Sequence, residues 1–312
     1  MTTQTLFYYM QQVQRFINDA RQEFVDPENI IDYINRARRE IAGRTQCIRV
    51  LTPISGAITT ATVVTPGSGY SGATAVTITP PDFPSGALPY PSGLQATATP
   101  IVQSGTIAAV SITLGGSGYF QPVATVTDSG GGTGATVTLN VAGINTLQPN
   151  QEQYPFSNIN LAPFPGVGEV HMIRSVSVIY ANYRYSLPMY SFSVYQAMIR
   201  QYPFQYTYVP TFCSQFGQGA NGSFFAYPWP SQVYGWEFDC ACLPQDLTTN
   251  QSVEALADPW TDCVPYFAAH LAYLEMQNFN AGRMYLDLFD KMVQRKSDYA
   301  RPGRVTNPYG RF

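Results

Sequence analysis

The chain has 312 residues, enough for two domains and a sizeable core, and its 17 Lys and Arg against 20 Asp and Glu leave a net charge of −3. Charged residues reach only 12% while aromatics reach 14%, a balance that offers no global attraction for nucleic acid or an anionic membrane. It suits either a surface largely covered by partners or a globular surface sparing of charge. The five cysteines, Cys47, Cys213, Cys240, Cys242 and Cys263, are odd in number and irregularly spaced, which argues against a disulfide framework. The opening MTTQTLFYYMQQVQRF has no basic start followed by an apolar run, so no signal peptide is expected. No stretch approaches a membrane span, and a reducing cytoplasm is the expected place of synthesis and assembly.

From about Thr5 to Arg21, apolar groups at Leu6, Tyr9, Val13, Phe16, Ile17 and Ala20 predict an amphipathic helix. Asp26-Pro27-Glu28 is a helix start: a side-chain acceptor, a proline where its missing N–H costs nothing, and a negative charge at the positive end of the dipole. Ile30, Ile34, Ala37 and Ile41 then form one stripe, with Arg36, Arg38 and Arg39 mostly off it and Gly43 as the expected stop.

The composition then changes. Between Leu51 and Glu152 there is no lysine or arginine, and the acids are Asp82, Asp128 and Glu152. One motif occurs twice in register: Ser55-Gly56-Ala57-Ile58 leads to Gly67-Ser68-Gly69-Tyr70, and Ser104-Gly105-Thr106-Ile107 to Gly116-Ser117-Gly118-Tyr119. Alternating Thr, Val, Ala and Ile predict strands near 57–65, 73–79, 94–102, 106–114, 122–127 and 134–141. Each half reads as a three-strand unit, and two units burying one face against each other predict a β-sandwich or flattened barrel.

Strands are predicted again over Val170–Tyr185 and Gln232–Cys242, with Pro- and Gly-rich connections between them, such as Tyr202-Pro203 and Tyr227-Pro-Trp-Pro230. Asp258-Pro259-Trp260 repeats the cap-and-proline signal, and a helix should follow to about Asn278, with Pro265 tolerated near its start. A last helix is expected from about Asn280 to Tyr299, with Met284, Leu288, Met292 and Val293 on one side and Arg295 and Lys296 in its final turn. Residues 301–312 have no periodicity and carry three arginines; they read as an extended arm that either grips an acidic surface or is disordered.

Catalytic chemistry is sparse, and the chain reads as no enzyme, with no cofactor and no metal. Cys240-Ala-Cys242 is the only close thiol pair, has no nearby histidine in sequence, and reads as a half-buried strand pair. His171 and His270 each lie in apolar periodic stretches and read as structural; a hydrolase using either is the minor alternative. No Gly-x-Ser-x-Gly elbow joins a strand to a helix. Gly130-Gly-Gly-Thr-Gly134 leads into a strand, which suits a turn rather than a phosphate cradle. The tyrosines of 180–216 have only Arg184 and Arg200 beside them, too little base for a nucleic-acid groove, so an aromatic core and subunit interface is expected there.

The order of these elements carries a resemblance. The opening helix pair ending in Ile34-Asn-Arg-Ala-Arg-Arg-Glu-Ile-Ala42, then Tyr227-Pro-Trp-Pro230, Tyr234-Gly-Trp-Glu237, Leu243-Pro-Gln-Asp-Leu247, Asp258-Pro-Trp260 and Tyr266-Phe-Ala-Ala-His-Leu-Ala272, resembles the head-to-tail adaptor proteins of short-tailed bacteriophages. The repeat is similar to Gly-Ser-Gly-Tyr-type β modules of phage structural proteins, which typical adaptors lack. The expected fold is α+β: a four-helix adaptor core with a small antiparallel sheet, plus an inserted all-β sandwich-like domain. Expected boundaries are 1–50 for the first helix pair, 51–152 for the duplicated β domain, 153–300 for the rest of the core, and 301–312 for the arm.

The resemblance implies a structural protein of the virion neck, assembled in the host cytoplasm. It would form a ring, typically dodecameric, beneath the portal, join capsid to tail and extend the DNA channel used in genome ejection. Implied partners are the portal protein, a tail nozzle or tube protein with tail fibres, and other copies of the chain. Double-stranded DNA would only pass through, and no membrane is involved. Arg301, Arg304, Tyr309, Arg311 and Phe312 would anchor the arm on the portal. The alternative is a tail or baseplate protein whose β region binds a host receptor or glycan.

Overall fold

The computed structural model describes residues 4–19, 24–82, 93–180, 183–201 and 207–300. Helix α1 (Leu6–Phe16) starts at Thr5, whose hydroxyl accepts the Tyr8 N–H, and buries Leu6, Tyr9 and Val13. It stops before Asn18, which turns into the left-handed region (φ 55), while Ala20 and Arg21 of the expected helix lie outside the described residues. Helix α2 (Pro27–Thr45) begins as its sequence predicts, with the Asp26 carboxylate accepting the Glu28 N–H at 3.1 Å. Ile30, Ile34, Ala37 and Ile41 are all fully buried. Gly43 does not end it; the chain turns at Gln46 (φ 52), whose N–H bonds the Ala42 carbonyl. Arg38 is not off the stripe but wholly buried. Positions 34, 37, 38 and 41 are i, i+3, i+4 and i+7 of one helical face, so geometry places Arg38 inward.

Strand β1 (Arg49–Leu51) precedes the duplicated region, where all six expected strands form: β2 (Ile58–Ser68), β3 (Thr74–Ile78), β4 (Thr97–Gln103), β5 (Thr106–Leu114), β6 (Ala124–Asp128) and β7 (Thr133–Val141). The halves are not self-contained units laid face to face. The first strand of each half pairs with the third strand of the other, β2 with β7 and β5 with β4, and the middle strands β3 and β6 pair together. Ser104 (φ 51) and Gly105 (φ 75) both sit in the left-handed region, the two-residue hairpin geometry that folds β4 straight back on β5.

The repeated Gly-Ser-Gly-Tyr completes this interlacing. The Tyr70 hydroxyl accepts the Ala135 N–H at 3.0 Å, and the Tyr119 hydroxyl accepts the Ala96 N–H at 2.8 Å. Gly67 and Gly116 have φ of 62° and 65°, and a Cβ on either would lie 2.6 or 2.8 Å from the following tyrosine ring. The acids also cross over: Asp82 accepts the N–H groups of Phe120 and Gln121, and Asp128 accepts the Ser71 N–H with the Ser71 and Thr74 hydroxyls, besides the Gly132 N–H of its own half. Two small cores result, one around Ile58, Ile78, Ala96 and Tyr119, the other around Tyr70, Ile107 and Val110.

Past the repeat come β8 (Asn145–Leu147), β9 (Gln153–Pro155), β10 (Val167–Tyr180), β11 (Tyr183–Leu187), β12 (Met189–Tyr190), helix α3 (Phe192–Ile199), β13 (Thr207–Tyr208), β14 (Phe212–Phe216), β15 (Ser223–Tyr227), β16 (Trp229–Pro230) and β17 (Tyr234–Pro244). One sheet has the order β1-β17-β10-β11, with β8 beside the start of β17; another has β12-β14-β15-β9. Tyr195 of α3 packs with Phe212 and Tyr227 of the second sheet into an aromatic lobe. The connection at Tyr202-Pro203 lies outside the described residues.

Helices α4 (Val264–Glu275) and α5 (Phe279–Ala300) close the described chain. Asp258 does not cap α4; a 3-10 turn (Trp260–Cys263) intervenes, and the Asp258 carboxylate accepts the Thr261 hydroxyl. The inner side of α5 is Tyr285, Phe289, Met292 and Val293, whereas Met284 and Leu288 face out.

The α+β mixture holds, but the expected four-helix core with a small sheet plus an inserted sandwich-like domain does not. Among the described residues strands exceed helices, 37% against 29%, and a fifth helix is present. Helices α1, α2, α4 and α5 share one core with β10 and β17: Ile34, Ile41, Ala268 and Ala269 pack with Val176, Trp236, Phe238 and Cys240. The physical cause is β17. Its residues are buried on both faces almost throughout, so it must be covered on both sides; α2, which packs with α4 in the helix cluster, also lies against β17, so helices and sheet share one core.

Candidate assembly surfaces

The arm residues Arg301, Arg304, Tyr309, Arg311 and Phe312 lie outside the described residues, but the helix they follow is firmly held. Lys296 Nζ lies 2.7 Å from an Asp262 carboxylate oxygen, tying α5 to the 3-10 turn. Arg44 of α2 reaches Asp290 at 2.8 Å and lies over the Phe289 ring. Tyr273 and Tyr285 both donate to the Phe16 carbonyl at the end of α1.

Besides Phe7, Tyr8, Phe24, Leu51 and Val253, two regions of the body expose large apolar side chains. On the α4–α5 hairpin these are Leu274, Phe279 (65% exposed), Met284 and Leu288. On the aromatic lobe they are Met189, Tyr190, Val194 and Phe216 (57% exposed), and Tyr185 of β11 and Tyr208 of β13 are exposed as well. The second face is backed by ring packing, with Phe192 4.7 Å from Phe216 and 4.9 Å from Phe225. Arg184 beside it is spent on Glu237 at 2.9 Å. Exposed apolar groups on supported surfaces are what partner contacts use, and on the hairpin Met284 and Leu288 stand beside the exposed charges of Arg283 and Asp287.

Beneath α2 the 245–256 strap is locked by groups whose pairing the sequence alone does not reveal. Asn35 accepts the Leu247 N–H and donates to its carbonyl. Arg38 donates to Glu254, Asn35 and the Gln245 carbonyl. Tyr9 donates to the same Glu254, and burial first, then that carboxylate, pushes the Tyr9 hydroxyl far above the usual tyrosine range. An open groove of about 1130 Å³ adjoins this strap, and its Arg39 and Asp246 pair with each other at 2.9 Å.

The reactive groups are placed for structure. Cys240 and Cys242 are fully buried on β17, not half-buried, because that strand is central. Burial pushes the Cys213 and Cys242 thiols up to about 12 and Cys263 to about 11, which suppresses the nucleophilic thiolate. His270 Nδ1 lies 2.8 Å from the Gly282 carbonyl and joins α4 to α5. His171 sits on β10. In the 130–134 glycine run, Asp128 already occupies the Gly132 N–H, a carboxylate where a phosphate would have to bind. Among the described residues, no three His, Cys, Asp or Glu are grouped to hold a metal, and no helix is long and apolar enough to cross a membrane.

No protein-family model matches the chain, and no curated protein matches it.

Proposed function

We propose that the chain is a structural subunit of a bacteriophage neck, a head-to-tail adaptor that closes into a ring under the portal and extends the DNA channel. The observation that carries this reading is the pair of unlike exposed apolar faces, one on the α4–α5 hairpin and one on the aromatic lobe. A ring of identical subunits is built from a heterologous contact, which needs two different surfaces on each copy. The anchoring of α5 supports the arm assignment, since a segment that grips a partner needs a fixed base. A net charge of −3 with few lysines and arginines suits a conduit that DNA crosses without being held.

The test is negative-stain class averaging of the full chain, alone and mixed with portal-containing heads. Closed rings seated at the portal vertex are expected, and removal of residues 301–312 should abolish the seating. A chain that stays monomeric and leaves heads bare overturns the reading, and unchanged seating without the arm sinks the arm assignment.

A further inference from the structure

We propose that the groove beside the 245–256 strap is the docking site of the chain's own 301–312 segment, with Tyr309 in an apolar notch at its end and Arg311 on Glu169. The docking is internal to one subunit and precedes any portal contact. The groove, about 1130 Å³, has Gly166, Gly168, Glu169, Pro244 and Val253 among its walls. Gly166 (φ 77) passes so near the strap that a Cβ there would lie 2.6 Å from the Val253 carbonyl oxygen, so the strap and the entry to β10 are in direct contact. The groove shares Gly168 and Glu169 with a second cavity of about 270 Å³, walled by Phe156, Ile159, Leu161 and Val170. That notch is below the usual range of drug-sized sites and suits a single aromatic side chain.

Charge and reach select the occupant. Arg39 and Asp246 of the groove pair with each other at 2.9 Å. Glu169, exposed where groove and notch meet, has no hydrogen bond or ion pair among the described residues, which leaves one negative charge open. Residues 301–312, Arg-Pro-Gly-Arg-Val-Thr-Asn-Pro-Tyr-Gly-Arg-Phe, hold three arginines, two aromatics and no acid. Pro302 and Pro308 bias the residues before them towards extended backbone. In an extended chain residues two apart share a face at a spacing of about 7 Å, so Tyr309 and Arg311 can fill the notch and meet Glu169 together. Lys296, near the end of α5, donates to the Pro259 carbonyl. Val253 precedes Pro259 by six residues, at most about 22 Å of chain. The twelve residues beyond α5 span up to about 40 Å, enough to enter the groove from that end.

The test is photo-crosslinking of the full chain with benzoylphenylalanine in place of Tyr309, the linked peptides being identified by mass spectrometry. Links should fall on Phe156, Ile159 or Leu161, and a mixture of isotope-labelled and unlabelled chains should give links within one label only. Glu169→Lys and Arg311→Glu should each lower the yield about three-fold or more, and the two together should restore it. Arg311→Glu lies outside the body, so it keeps the test decisive if Glu169→Lys fails to fold by circular dichroism. Links elsewhere on the body, links between differently labelled chains, or a yield unmoved by the charge reversals overturns the proposal. No portal protein is present in the measurement, so its failure leaves the neck reading standing.

Discussion

Arg38 and Glu254, 216 residues apart in the chain, form an enclosed two-pronged ion pair, with Nη2 2.8 Å from Oε1 and Nε 3.0 Å from Oε2. Both side chains are almost wholly buried, at 0% and 3% exposure. Their remaining valences are filled by Tyr9, Asn35, Leu256 and the Gln245 carbonyl, so the pair binds α1, α2 and the 245–256 strap at one point. Removing one partner strands a buried charge. Arg38→Met should therefore destabilise the body by about 3–5 kcal/mol in urea unfolding, and adding Glu254→Leu should recover much of that loss. A single-variant loss under about 1 kcal/mol would show that water reaches the pair.

Tyr70 and Tyr119 do the same task in the two halves of the repeat, each closing on a main-chain N–H of the opposite half. Tyr70→Phe and Tyr119→Phe keep the rings but leave the Ala135 and Ala96 N–H groups without their acceptor. Each should cost about 1–3 kcal/mol, confined to the repeat region. Hydrogen exchange is the measurement: Ala135 and Ala96 amides should exchange faster in the matching variant while the β10–β17 amides stay protected.

Asp128 makes the repeat region sensitive to acid. The Ser71 hydroxyl, then the Gly132 N–H, hold its carboxyl down to about 2 from the ordinary 3.8. A carboxylate lowered in the folded state binds fewer protons than its unfolded form, so its stabilisation is complete above about pH 4 and disappears as pH falls towards 2. Exchange at the Ser71 and Gly132 amides should rise across that window, and Asp128→Asn should flatten the response. A variant that keeps the wild-type profile would assign the transition to another acid.

The repeat region enters and leaves the body at one point, where the Ala142 N–H bonds the Ala57 carbonyl at 3.1 Å. Its contacts with β17 and the segment before it include the Phe120 ring over Gly235 and the Gln121 side chain on the Val233 carbonyl. Joining Gly56 directly to Gly143 should leave a body that melts cooperatively, checked by circular dichroism. Under the proposed neck function, lost head–tail joining with this deletion would assign the region to that junction, whereas lost adsorption with normal joining would favour a receptor-binding role. A body that no longer folds would show that the region is a structural dependency.

Patterns that repeat along the chain were legible without a structure. The α2 stripe, the Asp26-Pro27 start, the six strands and the two Gly-Ser-Gly-Tyr turns follow from local chemistry, since periodicity and left-handed glycines act over a few residues. The three acids of the nearly uncharged window were visible too, but not their partners: Asp82 and Asp128 cap turns of the opposite half, and Glu152 accepts the Tyr195 hydroxyl. Tertiary structure alone decided who pairs with whom. It interlaced the halves of the repeat, turned Arg38 inward onto Glu254, and merged the helix cluster with β10 and β17 in one core. A hydrophobic face fixes that a surface is buried but not what buries it, and a charged side chain is buried only where a distant group can neutralise it.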